Sequence, residues 1–85
     1  MKFYYVYILR NTGNYIYIGY SENLQKRFNA HNNGLVKSTK SHVPFALIHY
    51  EAYINKQDAK RREKYLKTNR GRTTLITMLK EFFAE

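Results

Sequence analysis

The stretch Lys2–Tyr20 reads KFYYVYILRNTGNYIYIGY and contains two short motifs, Tyr5-Val6-Tyr7 and Tyr17-Ile18-Gly19. Aromatic and β-branched residues fill both halves of the stretch, which is typical of β-strands. Between the halves lies Asn11-Thr12-Gly13-Asn14, whose residue types favour a tight reversal. We therefore predict a β-hairpin that brings Tyr7 and Tyr17 close together.

The register of this hairpin decides which side chains share a face. We expect strands over Lys2–Leu9, or to Arg10, and over Ile16–Tyr20, or from Tyr15. If Tyr7 lies opposite Tyr17, then Tyr5 lies opposite Gly19 and the three tyrosines share one face. The other face is more apolar and carries Tyr4, Val6, Ile8, Ile16, Ile18 and Tyr20. A slip of one residue would separate Tyr7 from Tyr17, so we predict an odd-length loop or a bulge.

The rest of the chain predicts helix, strand, helix, helix. The first helix runs from Glu22 or Asn23 to Asn32, with Ser21 as its cap and Asn33-Gly34 as its end. The third strand covers Phe45–Tyr53. The second helix is capped by Asn55, with Asp58 completing a capping box, and ends near Thr68. The third helix runs from Thr73 or Thr74 to Phe83. Its apolar stripe consists of Leu75, Ile76, Leu79, Phe82 and Phe83.

Composition bounds the class of protein. Eighty-five residues are expected to form one domain, residues 1–85. The chain has no cysteine and no apolar run of the roughly 18 residues that cross a bilayer, so we expect a cytoplasmic protein without a membrane partner. The net charge of +9, with eight basic and two acidic residues from Lys56 to Arg72, favours a polyanionic partner, nucleic acid first.

Two polar residues of the first helix fall in apolar phase. Leu24 and Phe28 mark its inward side, and Arg27 and His31 follow Leu24 by three and seven positions. Helical spacing therefore places Arg27 and His31 on or beside the buried stripe. Each could also be a rim residue whose polar end reaches water.

The second helix has the same irregularity. Ala59 and Leu66 mark its inward side, and Glu63 lies four after the first and three before the second. A carboxylate in that position must be paired, coordinated or at the rim of a cleft. An internal Glu63–Arg27 ion pair is one alternative. Taken with the two tyrosines, these residues supply a guanidinium, an imidazole, a carboxylate and phenols, the groups that handle a phosphodiester.

At these residues the chain resembles a small, stand-alone bacterial member of the GIY-YIG nuclease superfamily. The resemblance covers about Tyr4–Leu66 and rests on the two hairpin motifs, the Leu24-x-x-Arg27-x-x-x-His31 helix and the Ala59-x-x-x-Glu63-x-x-Leu66-Lys67 helix. Tyr5 stands where the family name has glycine. The resemblance implies an α+β fold, a three-stranded antiparallel sheet flanked by three helices in the order β-β-α-β-α-α.

The resemblance also implies roles in cleaving DNA. Tyr17 would act as general base or as a relay to it, Tyr7 would help to orient the attacking water, and Arg27 would stabilise the transition state. His31 would assist by hydrogen bonding or proton transfer. Glu63 would bind a single divalent metal, Mg²⁺ or Mn²⁺. Because a free phenol has a pKa near 10, a tyrosine acting as base needs a nearby cation.

The partner inferred from charge and resemblance is nucleic acid, DNA first. The candidate contact residues are Lys26, Lys37, Lys40, Lys60, Arg61 and Lys64, and Ser38, Thr39 and Lys40 could form a phosphate-contact loop. A cleft this small cannot grip much duplex, so a homodimer or a protein partner stays open. Two other functions also stay open: a DNA- or RNA-binding module with an unused nuclease site, and an RNA- or ribosome-associated structural protein.

Overall fold

The predicted hairpin forms, with a different register from the one expected. A computed structural model describes residues 1–85, with β1 over Tyr4–Asn11 and β2 over Ile16–Ser21. Tyr7 lies opposite Gly19, and Leu9 lies opposite Tyr17. The predicted Tyr7–Tyr17 pairing is therefore wrong by two residues. A shift of two keeps every side chain on its predicted face, because faces alternate with a period of two.

The turn explains the register. The Asn11 amide donates to the Tyr15 carbonyl at 3.1 Å, so three residues, Thr12–Asn14, form the connection. Asn11 Oδ1 accepts from the amides of Gly13 and Tyr15, both at 2.9 Å, and Asn14 takes a left-handed φ of 66°. The side chain of Asn11 thus centres the reversal on Gly13. The connection has the odd length that was expected.

The third strand, β3, covers Phe45–Tyr53 as predicted and pairs antiparallel with β1, giving the sheet order β2-β1-β3. A bulge shifts the β1–β3 register, because Ile8 pairs with His49 whereas Leu9 pairs with Leu47. Owing to this extra residue, Leu47 and Tyr50 both lie on the face that carries Tyr7.

The first helix, α1, covers Leu24–Asn32 and packs on the tyrosine face of the sheet. Its cap is Asn23, whose side chain accepts from the Lys26 amide, so Ser21 was the wrong cap. Ser21 instead accepts from the Asn23 amide, one step before the helix. The helix ends as expected before Asn33-Gly34, where Gly34 has a φ of +73°. The following loop contains a 3-10 turn, Lys40–His42.

Helix α2 covers Lys56–Leu66 and is capped by Asn55, which accepts from the Gln57 amide at 2.8 Å. Asp58 bonds Arg61 instead of completing a capping box. Two helices follow, α3 over Asn69–Met78 and α4 over Lys80–Phe83. The predicted start at Thr73 or Thr74 was wrong, because Thr68 caps α3 by accepting from the Gly71 amide at 3.0 Å.

Gly71 is required where α2 meets α3. A Cβ at this position would lie 1.9 Å from the Tyr65 carbonyl oxygen, so only glycine allows the two helices to approach. This close contact, and not a loop, is what the sequence Asn69-Arg70-Gly71 encodes.

The second, more apolar face of the sheet carries the larger core. Val6, Ile8 and Ile18 pack there against residues of α2 and α3, namely Ala59, Leu66 and Leu75. Of the predicted stripe, Ile76 is 59% exposed and lies outside the core. Phe82 and Phe83 pack instead beside the Arg10 guanidinium. The α+β fold with three antiparallel strands is confirmed. None of its helices is long and apolar enough to span a membrane.

Candidate active site

Tyr7 on β1 passes directly over Gly19 of β2, the edge strand that we call the outer strand. A Cβ on Gly19 would lie 2.4 Å from both Cζ and Oη of Tyr7 and 2.9 Å from Cε2 of Tyr17. Glycine is therefore needed here for space, because the ring of Tyr7 from the first motif occupies the position of a side chain at Gly19 of the second motif. The Tyr7 and Tyr17 rings lie 6.2 Å apart, so the structure brings the two phenols together.

His31 lies behind Tyr7 and is fully buried, with 0% exposure. The Tyr7 hydroxyl and His31 Nε2 are 2.7 Å apart, and His31 Nδ1 lies 2.8 Å from Thr39 Oγ1. Thr39 Oγ1 donates to the Val36 carbonyl at 3.4 Å, so it accepts from Nδ1–H. His31 Nε2 then holds the lone pair, and Tyr7 donates to it. His31 contacts Tyr7 and has no surface for a substrate.

The loop after α1 is held so that Thr39 reaches His31. Asn32 anchors its base, since its side chain accepts from the Phe45 amide at 2.7 Å and donates to the Phe45 carbonyl at 3.0 Å. Asn11 donates to the His42 carbonyl at 3.0 Å, and the His42 ring stacks on Tyr15 at 3.9 Å. The loop is thus held to β3 at its start and to the hairpin at its end.

Arg27, on α1, lies near the two phenols. Hydrogen bonding to Tyr7, with a smaller contribution from Tyr17, raises the pKa of its guanidinium. Because Tyr7 donates its own proton to His31, an oxygen lone pair remains for the guanidinium. Arg27 is otherwise an exposed residue. It lines a shallow cavity of about 160 Å³, which we call the Arg27 cavity, together with Ser21, Asn23, Lys26 and Ala30.

Burial and charge set the protonation states of this group. Burial raises the pKa of Tyr7 to about 12, although the nearby Arg27 lowers it in part. Burial, assisted by the positive charge of Arg27, lowers the pKa of His31. At neutral pH the site therefore holds a neutral imidazole, a protonated Tyr7 and a cationic Arg27.

Glu63 lies on α2, which packs on the second face of the sheet. Its negative charge is the weakest of the causes that shift the pKa of Tyr7, and it acts to raise that pKa. The side chain is 16% exposed, and Oε2 accepts from Lys67 Nζ at 2.9 Å. The expected alternatives for this acid included a pair with Arg27, whereas the structure pairs it with Lys67. No group of three or more histidine, cysteine, aspartate or glutamate side chains exists that could cage a metal.

The six predicted nucleic-acid contacts do not all surround this site. Lys26 lines the Arg27 cavity, and Lys60 lies 4.3 Å over the ring of Tyr20 on the outer strand. Lys37, Lys40 and Lys64 are exposed. Arg61 pairs with Asp58 at 2.7 Å and lines a separate groove with Tyr53 and Tyr65. It lies two residues, about 200° around the helix, from Glu63.

The position of Thr39 in the fold was not predicted from the sequence. It was expected to contact phosphate in an exposed loop, yet it is fully buried against His31. A polar residue eight positions after a histidine carries no helical or strand periodicity. Only the folded loop shows that the two meet.

Comparisons with known proteins identify the family of this chain. Residues 3–75 match the model of the GIY-YIG catalytic domain. A UPF0213 protein of Clostridium perfringens is 44% identical over 64 residues, which are 74% of this chain and 69% of the relative. A UPF0213 protein of Staphylococcus haemolyticus is 39% identical over 69 residues, 80% of this chain and 84% of the relative.

A solved structure is similar as well. The solution NMR structure of a UPF0213 protein, BH0048 from Bacillus halodurans, matches with a TM-score of 0.57 and 30% identity, covering 89% of this chain and 84% of that one. Residues 3–75, which match the family model, include the hairpin motifs, the helix bearing Arg27 and His31, and the helix bearing Glu63. This chain belongs to the GIY-YIG superfamily, a nuclease-type family, and its relatives are small bacterial UPF0213 proteins.

Proposed function

We propose that this protein is a metal-dependent endonuclease that hydrolyses phosphodiester bonds in DNA. The observation that carries the proposal is the pair of phenols over Gly19, Tyr7 and Tyr17, whose rings lie 6.2 Å apart. Arg27 and Glu63 are both near enough for their charges to shift the pKa of Tyr7, and Arg27 also lines the surface cavity. A cation, two phenols and one acid match the needs of an anionic phosphoryl group attacked by water. The family match supports the same chemistry.

The charge distribution supports a polyanionic substrate. The chain carries +9, and exposed lysines flank the outer strand, with Lys26 on one face of the sheet and Lys60 on the other. Phosphate-led binding of this kind weakens steeply as salt rises. Lys37, Lys40 and Lys64 are proposed to extend the contact, and Arg61, neutralised by Asp58, is the weakest of the six candidates.

Arg27 is proposed to stabilise the transition state at the scissile phosphate. A guanidinium donates to two non-bridging oxygens at once and stays charged throughout the reaction. Tyr7 acts as a positioning residue, because its hydroxyl donates a hydrogen bond to His31, its oxygen lies near Arg27 and its side chain is only 1% exposed. Thr39 holds the imidazole that accepts this hydrogen bond. The buried Tyr7–His31–Thr39 chain thus orients the guanidinium without touching substrate.

Tyr17 is proposed as the general base, as the sequence indicated. It is the phenol of the pair that solvent reaches, since Tyr7 is buried and Tyr17 is only partly so. Its hydroxyl is proposed to accept a proton from the attacking water, with the Arg27 guanidinium close by.

The residues present fit a single hydrated Mg²⁺ or Mn²⁺, and Glu63 would hold it. Mg²⁺ keeps several waters and is bound by one or two carboxylates together with substrate phosphate, so one acid is sufficient. One oxygen of Glu63 is free of hydrogen bonds, and Lys67 occupies the other. The ion would polarise the phosphate and offset charge on the leaving oxygen.

A cleavage panel tests the proposal. Purified protein with Mg²⁺ or Mn²⁺ is given flap, junction, single-stranded and plasmid DNA, together with Glu63→Ala and Tyr17→Phe. Asp58→Ala is a matched control, because it removes another ion-paired carboxylate from the same helix. We expect both site variants to lose about a hundredfold or more in rate while binding persists, and the control to stay near wild type.

A non-catalytic DNA- or RNA-binding module is the second candidate. The Glu63–Lys67 ion pair favours it, because this pair neutralises the acid that a metal would need. If the wild-type protein binds these substrates and cuts none of them in either metal, this second function replaces the first. Cutting that survives both site variants would instead show that other residues perform it.

A further inference from the structure

A second groove lies on the tyrosine face of the sheet, beside the Arg27 cavity. It has a volume of about 400 Å³, within the range of roughly 300–1,000 Å³ typical of small-molecule sites. Its walls are apolar and aromatic, formed by Tyr5, Leu24, Phe28, Leu47 and Tyr50. Asn23 and Gln25 line its polar end. We call it the Tyr50 groove.

The Tyr50 groove carries no charged side chain, although the protein as a whole carries +9. Tyr50 is 53% exposed, an unusual exposure for so large a ring. The Tyr5 ring meets it edge-on at 6.1 Å. An uncharged aromatic groove on a basic surface fits a ligand that is neutral and flat in one part and anionic in the next. A nucleotide has this composition.

The groove and the Arg27 cavity are adjacent. Asn23 lines both, and Tyr5 of the groove pairs directly across the sheet with Ser21 of the cavity. Directly opposed residues of an antiparallel pair lie about 5 Å apart. A phosphate at Arg27 would therefore have the base of an adjoining nucleotide within reach of Tyr50. The amide nitrogen of Asn23 has no hydrogen-bond partner in the protein and can donate to a base edge.

We propose that the Tyr50 groove binds one unpaired nucleobase next to the scissile phosphate. The inference rests on the proposed function and narrows its substrate to nucleic acid with an unpaired nucleotide at the cleavage site. A base within a duplex has both faces covered by its neighbours, so only an unpaired base can stack on a tyrosine. Such stacking tolerates any base, since every base has a π-face.

Metal-free binding tests the groove without any need for cleavage. A single-stranded oligonucleotide that carries one 2-aminopurine, and the fully paired duplex of the same sequence, are titrated with protein. Anisotropy reports affinity, and 2-aminopurine emission reports stacking. The variants are Tyr50→Ala, Tyr50→Phe and, as a matched control, Tyr65→Ala, which removes a 37%-exposed tyrosine from a separate groove on α2.

We expect Tyr50→Ala to weaken single-strand binding by about fivefold or more and to abolish the change in emission. Tyr50→Phe, which keeps the ring, and Tyr65→Ala should stay within about twofold of wild type, and no variant should alter duplex binding beyond that. Equal losses in Tyr50→Ala and Tyr65→Ala, or equal losses on single strand and duplex, would overturn the inference. So would unchanged binding together with altered self-association on sedimentation, which would make the groove a protein contact.

The outcomes separate this inference from the proposed function. If Tyr50→Ala loses single-strand binding while wild-type protein cuts nothing, the base site stands and hydrolysis fails. If wild-type protein cuts DNA and Tyr50→Ala binds and cuts it equally well, hydrolysis stands and the base site fails.

Discussion

Replacing Gly19 by alanine should disturb the site far more than the same replacement at Gly13, the other glycine of the hairpin. The new Cβ would lie 2.4 Å from the Tyr7 hydroxyl and 2.9 Å from the Tyr17 ring, both far inside contact distance. Tyr7 is 1% exposed and has no open space to enter. Overpacking of this kind costs about 1–3 kcal/mol, and losing the buried Tyr7–His31 hydrogen bond adds about 1–3 kcal/mol.

The expected loss in the free energy of unfolding for Gly19→Ala is therefore about 2–6 kcal/mol. For a chain of this size, the lower limit corresponds to a fall in Tm of at least about 8 °C. Gly13→Ala is the control, because its Cβ would meet only Asn11 Oδ1 at an ordinary 3.5 Å. Urea unfolding of both variants measures the difference. If Gly19→Ala falls within about 0.5 kcal/mol of Gly13→Ala, Tyr7 does not lie over Gly19 and the account of the site is wrong.

Two further predictions concern the buried imidazole. Because burial lowers the pKa of His31 below its ordinary 6.5, the unfolded chain takes up a proton that the folded chain resists. The contribution to stability is therefore present above pH 6.5 and is lost as the pH falls below it. His31→Gln should reduce the pH dependence of the free energy of unfolding, measured in urea between pH 7.5 and 5. An unchanged pH dependence would contradict burial of the neutral ring. Thr39→Val should lower the free energy of unfolding by about 1–3 kcal/mol and change the ring ¹⁵N chemical shifts of His31, whereas Thr39→Ser should keep both near wild type. Equal effects of the two substitutions would show that the Thr39 hydroxyl does not bond His31.

The sequence predicted the parts of the fold that depend on periodicity. Strand alternation gave the two faces of the hairpin, and helical spacing correctly turned Ala59 and Leu66 inward. Because a shift of two residues preserves faces, the wrong register did not separate Tyr7 from Tyr17. The same periodicity placed His31 in the interior.

The errors came from features that periodicity does not encode. The register depended on the Asn11 side chain, which centres the turn on Gly13. The start of α3 depended on Thr68 as a cap and on the space that Gly71 leaves against α2, so a sequence typical of a loop became a helix.

The candidate site was predictable only where its residues lie on regular elements. Arg27 and Glu63 stand out because they break an apolar pattern. Thr39 and the Tyr50 groove do not, because a folded loop positions the first and a β3 bulge assembles the second. The Glu63–Lys67 pair has the i, i+4 spacing of a helical ion pair, yet the spacing alone did not distinguish it from a pair with Arg27.

The most direct test of the central claim compares Arg27→Ala with Lys26→Ala in single-turnover cleavage at saturating protein. The two residues are neighbours on α1, line the same cavity and carry the same charge, but only Arg27 faces the phenols. We expect Arg27→Ala to lower the cleavage rate about a hundredfold or more with little loss of binding, and Lys26→Ala to reduce binding and its salt dependence while the rate at saturation stays near wild type. Equal rate losses in the two variants, or no cleavage by the wild-type protein, would contradict the account.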